Sequence, residues 1–148
     1  MDERRLTRVD VDAILDLRAR VLHPGERRSA AHISGDRAEG TRHWALWQRD
    51  EVIAAVTVTP LRGLALRAMA VDPACQRQGL GLRLLRAVQA EVAAPMWCNS
   101  RLAAVPFYTA AGWTPEGPVF LLGGAPHQRM TTSGEQGRWS AVPRAPNS

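Results

Sequence analysis

The sequence predicts an α+β protein with a mixed, mostly antiparallel central sheet flanked by helices. Three observations predict it. Between His43 and Val71 the chain carries three apolar, β-rich runs separated by short polar turns. From Gly79 the apolar spacing changes to the helical period. A second set of strand-like runs then closes the pattern, divided by Pro and Gly. A length of 148 residues supplies one core and is too short for two ordinary domains.

The elements follow in order. Arg4–Val9 makes a short strand, and Asp10 is placed to cap a helix with an apolar stripe on Val11, Ile14, Leu15 and Leu22. That helix, which also carries Arg18, stops at Pro24-Gly25. Residues 26–40 are polar and contain glycine, which predicts a flexible loop with one helical turn at most. A meander follows: "HWALWQ" alternates, "RDE" turns, "VIAAVTVTP" is β-branched, and "GLALRAMAV" ends at Asp72-Pro73. Leu80, Leu84, Leu85, Val88 and Val92 share one helical face. Pro95 separates this helix from a short strand, "MWCN". "SRLAAVPFYTAAG" reads as a helix kinked by Pro106 and closed by Gly112, and "WTPEGPVFLL" with "PHQRMTT" forms a last hairpin around Gly123-Gly124. From Ser133 the composition is that of a disordered tail.

Composition narrows the chemistry. The net charge is +5, and all nineteen basic residues are arginine, spread from Arg4 to Arg144 rather than clustered with aromatics. That spread argues against a nucleic-acid partner and suits a polyanionic small ligand. Without lysine there is no Schiff-base chemistry and no Walker or kinase lysine. No apolar stretch is long enough to span a bilayer, and the start lacks the apolar segment of a secretory signal. Cys75 and Cys98 are isolated, which predicts two cytoplasmic thiols rather than a disulfide or zinc site. Four scattered histidines with no HExxH argue against a metal. Trp44, Trp47, Trp97 and Trp113 are predicted as core.

A strand ending at Asp72, a turn with two glycines and an immediate helix place backbone N–H groups at a helix N-terminus, where they favour phosphate. A plain turn has the same outline. The Rossmann pattern wants a third glycine where Leu84 stands, and a P-loop wants Gly-Lys. Gln76-x-x-Gly79-x-Gly81 remains.

That pattern resembles the pyrophosphate loop of the Gcn5-related N-acetyltransferases. "RAMAVDP" is similar to the family's fourth strand, "RLLRAV" to its central helix, and "NSRLAAVPFYTAAGW" to its second signature. "GAPHQRM" resembles the Pro-His-x-x-Met ending of one bacterial branch. Two positions depart from the pattern: Arg77 stands where glycine is frequent, and Leu122 stands where that branch commonly has an acidic residue. The resemblance covers about Leu66 to Met130, and the acetyltransferase domain it implies is expected over residues 1–132. It also implies acetyl-coenzyme A as co-substrate, an amine acceptor, and dimerisation as a common family habit. It places cofactor contacts on Met69, Ala70, Val71, Gln76, Arg77, Gln78, Gly79, Leu80, Gly81 and Asn99.

Acetyl transfer needs a neutral amine, donors for the oxyanion and a proton for the leaving thiolate. The resemblance makes a backbone N–H within Met69–Val71 the oxyanion donor and Tyr108, the only tyrosine, the general acid. No base stands out. His127, His43 and Glu51 are candidates, Arg67 stands where some relatives carry a glutamate, and a water chain is the alternative. Hydrogen-bonding or surface roles compete for each histidine. Asn99 suits either a pantetheine contact or a helix N-cap. A non-catalytic acyl-coenzyme A binding or sensing module would share the loop and differ in its use of Tyr108.

Overall fold

The computed structural model describes residues 4–132, so the tail predicted from Ser133 lies outside the described residues. Seven strands form one sheet: β1 (Arg4–Val9), β2 (Arg42–Gln48), β3 (Glu51–Pro60), β4 (Leu64–Val71), β5 (Trp97–Arg101), β6 (Trp113–Leu122) and β7 (Ala125–Thr132). Their order is β1-β2-β3-β4-β5-β7-β6. The β1/β2, β2/β3, β5/β7 and β6/β7 pairs are antiparallel, and β4 runs parallel to β5 with the register Ala65↔Trp97. Three α-helices accompany the sheet: α1 (Leu15–Leu22), α2 (Leu80–Val92) and α3 (Val105–Ala110). This is the α+β class with the mixed, mostly antiparallel sheet expected.

The described residues divide into two compact units, one of residues 4–59 and 66–91, the other of residues 60–65 and 92–132. In the first unit β3 is buried without interruption from Ile53 to Thr59. A strand covered on both faces loses the alternation of a half-exposed one. β2 behaves likewise: His43 to Leu46 are all buried, although their sequence alternates. Val11, Ile14, Leu15 and Leu17 pack with Ala31, Ala45, Ala55 and Ala70 as one apolar cluster. Leu22, expected in that stripe, is 40% exposed at the end of α1, and Leu17 takes its place. The helix starts later than expected because Val11–Ala13 forms a separate 3₁₀ turn. Asp10 stands at its N-cap position and its carbonyl accepts the Ala13 N–H, but its side chain makes no cap bond.

In α2, Leu80, Leu84, Leu85 and Val88 are buried as their spacing requires. Each such side chain contributes roughly 1.5–3 kcal/mol. In the second unit β5 extends through Arg101, two residues beyond "MWCN". A 3₁₀ turn at Leu102–Ala104 follows, and Pro106 lies in the first turn of α3. Proline therefore starts this helix instead of kinking it, because its missing N–H costs nothing there. Gly112, at φ +92°, closes α3 as expected. Trp44, Trp97 and Trp113 are buried and Trp47 is half-buried.

Candidate functional site in two parts

The first part is the turn between β4 and α2. β4 contains an irregularity: Ala68 has φ +55°, a left-handed conformation inside a strand. Met69, Ala70 and Val71 follow it directly, with Ala70 buried and its neighbours half-buried. Asp72 then organises the exit. One carboxylate oxygen accepts the Ala74 N–H at 2.9 Å, and the other meets Arg20 at 2.6 Å. The hydrogen bond from Arg20, then that from Ala74, holds this carboxyl below its ordinary range. Asp-Pro ahead of a short helical turn is a legible capping signal, and Asp72 both ends β4 and caps that turn.

Gln76 donates from its side chain to the Val71 carbonyl at 3.1 Å, tying the turn back to β4. Gln78 accepts from Arg4 at 2.6 Å. Arg77 and Gly79 have φ of +65° and +74°, so two residues of the turn are left-handed. Gly79 accepts the Arg83 N–H at 3.0 Å, the first bond of α2. The N–H groups of Leu80, Gly81 and Leu82 precede any intrahelical acceptor and lie at the positive end of α2. No atom beyond its chain neighbours lies within 4 Å of the point where a Gly79 Cβ would stand. Open space over a left-handed glycine at a helix N-terminus fits a phosphate group.

The second part lies on β5, α3 and β7. Tyr108 is buried, its ring edge-on to Phe107 at 5.1 Å and tilted against Trp113 at 5.4 Å. Its hydroxyl and the Cys98 side chain interact. Burial, followed by the nearby thiol, pushes the phenol's pKa upward, so the group is a neutral donor. Burial likewise pushes the Cys98 thiol up to about 12. Nothing local in the sequence links residues 98 and 108, so this partner of Tyr108 is not legible there.

Asn99 lies within β5 opposite Arg129 of β7, so it is not a helix cap; Arg101 holds the position before the 3₁₀ turn. Its Oδ1 is 3.4 Å from both Nε and Nη2 of Arg129, whose guanidinium stacks on Trp97 at 4.3 Å. His127 is buried, and its Nδ1 is 2.8 Å from the Ala125 carbonyl. A carbonyl only accepts, so Nδ1 carries the hydrogen and Nε2 is the atom able to take a proton. Of the other candidate bases, Glu51 is exposed at the start of β3. His43 is buried with both ring nitrogens engaged, at 2.7 Å from Thr57 Oγ1 and 2.9 Å from the Asp36 carbonyl. Both cysteines are free, and no group of three metal-ligating side chains occurs among the described residues.

The fourth strand of a mixed sheet thus leads through a glycine turn into an amphipathic helix. The chain belongs to the GNAT acetyltransferase family: residues 24–133 match the family model described as "Acetyltransferase (GNAT) domain". No curated protein matches. Among solved structures, Escherichia coli ElaA superposes with a TM-score of 0.76 at 18% identity, covering 87% of this chain and 99% of its own. An acyl-CoA N-acyltransferase from Pseudomonas aeruginosa gives 0.73 at 21%, with coverages of 87% and 99%. A GNAT family acetyltransferase from Elizabethkingia anophelis, solved with acetyl-CoA bound, gives 0.64 at 13%, with coverages of 89% and 99%. At these identities the likeness establishes the fold.

Proposed function

We propose that this protein is a cytoplasmic, acetyl-coenzyme A-dependent N-acetyltransferase acting on an amine of a small molecule or of a peptide or protein. The observation that carries the reading is the Gln76–Gly81 turn, with a left-handed Gly79 under open space and the first N–H groups of α2 beside it. In this reading those N–H groups and Arg77 hold the pyrophosphate, while Gln76 stabilises the turn through Val71. The backbone of Met69–Val71 pairs with the pantetheine arm and supplies a donor for the developing oxyanion. Asn99 assists the same arm.

The neutral amine attacks the thioester carbonyl, and the tetrahedral intermediate collapses with cleavage of the carbon–sulfur bond. Tyr108 gives its proton to the leaving thiolate, and the attacking nitrogen loses a proton to His127 Nε2 or to water. Burial keeps the phenol neutral, so it holds the proton that this step needs.

The same buried Tyr108–Cys98 pair supports a second reading, in which the tyrosine is structural and the protein binds acyl-coenzyme A without turnover. Thiol release from acetyl-coenzyme A, measured with a panel of primary amines and peptides, separates the two. Amine-dependent release supports the enzyme; tight binding with no release for any amine supports the sensor. Absence of coenzyme A binding would sink both.

A further inference from the structure

Between Glu26 and Gly40 the described chain has two buried residues, Ala31 and Asp36. Apolar burial therefore does little to hold this segment, and its exposed ion pairs, Arg28–Asp16 and Arg37–Asp12, are worth little in water. Asp36 is the tether. Its two carboxylate oxygens receive Arg18 at 2.8 and 3.0 Å, and one of them also receives the Ile33 N–H at 2.8 Å. Arg18 is fully buried and extends the network to the Ala31 carbonyl at 3.2 Å and Thr57 Oγ1 at 2.6 Å. Its Nε is buried without a hydrogen-bond partner, so the network is not fully satisfied.

We propose that Arg18, Asp36, Thr57 and His43 form a proton-sensitive latch. Neutral His43 holds residues 31–37 in place, and a second ring proton on His43 releases them.

The hydrogen-bond directions carry the inference. The Asp36 carbonyl fixes the hydrogen on His43 Nε2, so Nδ1 must accept, and its partner is the Thr57 hydroxyl. Thr57 donates to His43 while its oxygen accepts from Arg18. A proton on Nδ1 turns this relay into two donors facing one hydroxyl and sets a second cation beside Arg18, with one carboxylate to serve both. The groups facing His43 are Arg18 from α1, Asp36 from the loop, Thr57 from β3 and Arg8 from β1. His32 also lies 3.8 Å from the Asp36 carboxylate.

Burial is the largest influence on His43 and lowers its pKa below 6.5; the nearby Arg18 and Arg8 add to it against the Asp36 contacts. Burial pushes Asp36 upward, but the bonds from Arg18 and Ile33 outweigh it and keep the carboxyl ionised. His43 thus contributes stability that is complete above its unfolded pKa and is lost as pH falls through the folded value. The latch rests on geometry within the first unit and is independent of acetyl transfer.

The test is amide exchange of the full chain, corrected for intrinsic rates, at about pH 7.5 and about pH 5.5. Protection at Ile33, Asp36 and Ala38 is expected to fall by about tenfold or more at the lower pH while β3 keeps its protection. His43→Gln retains one donor and one acceptor without a titrating proton, and is expected to keep the loop protected at both. Unchanged wild-type protection, an equal loss in His43→Gln, or a loss that includes β3 would each overturn the proposal. Should His43→Gln fold poorly, NMR titration of the wild type decides: the His43 ring and the Ile33 amide must share a midpoint, and different midpoints refute the latch.

Discussion

Tyr108 combines two properties that mutation can separate, a packed ring and a buried hydroxyl that interacts with Cys98. Tyr108→Phe keeps the ring, so if the hydroxyl protonates the leaving thiolate, turnover is expected to fall by about 10²–10⁴. Coenzyme A affinity should barely change, because the lost interaction acts in the transition state. Equal loss of turnover and melting temperature would make the tyrosine structural. The same pair sets an alkaline limit. Both pKa values are raised in the folded protein, so the native state holds protons that the unfolded chain gives up first. Their contribution is complete below about pH 9 and is lost as pH rises toward the thiol's folded value of about 12. Calorimetric melting temperatures are expected to decline from about pH 9 in the wild type and from nearer pH 10 in Cys98→Ala, where the phenol remains. Superimposable pH profiles would show that the thiol does not contribute.

At the scale of elements, the β4–turn–α2 unit was the most legible part of the chain because its signals are local. Asp72-Pro73 ends the strand, Gly79 bends the turn, and Leu80, Leu84, Leu85 and Val88 set the helix face. Gly79→Val puts a β-branched residue at φ +74°, and the space it enters is the one assigned to pyrophosphate. Coenzyme A binding is expected to weaken by tenfold or more, the equivalent of about 1.4 kcal/mol, beyond any loss of stability. Titration calorimetry on the folded variant checks this, and full affinity would leave the loop a plain turn. Gln76→Ala should cost less, since its bond to Val71 shapes the turn. The helices were less legible where local rules compete. Pro106 reads as a kink inside a long helical pattern, but the pattern is divided between β5, a 3₁₀ turn and α3. Leu22 follows the stripe of α1 by spacing and lies exposed because the helix ends there.

For the molecule as a whole, the order of elements along the chain and the family were legible, and the order of strands in the sheet and the polar interior were not. The buried Arg18–Asp36 pair joins residues with no short-range signal between them, and a polar loop gives no hint that one of its carboxylates is 6% exposed. Cys98–Tyr108 and Asn99–Arg129 escape notice for the same reason, since each partner comes from a different element. None of the described helices is long and apolar enough to cross a membrane. Ligand that binds only the folded chain raises its stability by mass action. Acetyl-coenzyme A at 100 times its dissociation constant is expected to add roughly 2.7 kcal/mol. Differential scanning fluorimetry would show this, and an unchanged melting temperature in millimolar ligand would count against the proposed function.

The left-handed Ala68 within β4 marks where this protein has room to be engineered. An alanine held there carries strain of about 1–2 kcal/mol that glycine would not. Ala68→Gly is therefore expected to raise the melting temperature by a few degrees, less the entropy glycine gains in the unfolded chain. The residues it aims are Met69–Val71, so a looser joint would leave the proposed oxyanion donor less firmly placed. Thermal robustness and turnover number should then move in opposite directions in one variant, the trade expected where a fold keeps strain because function uses it.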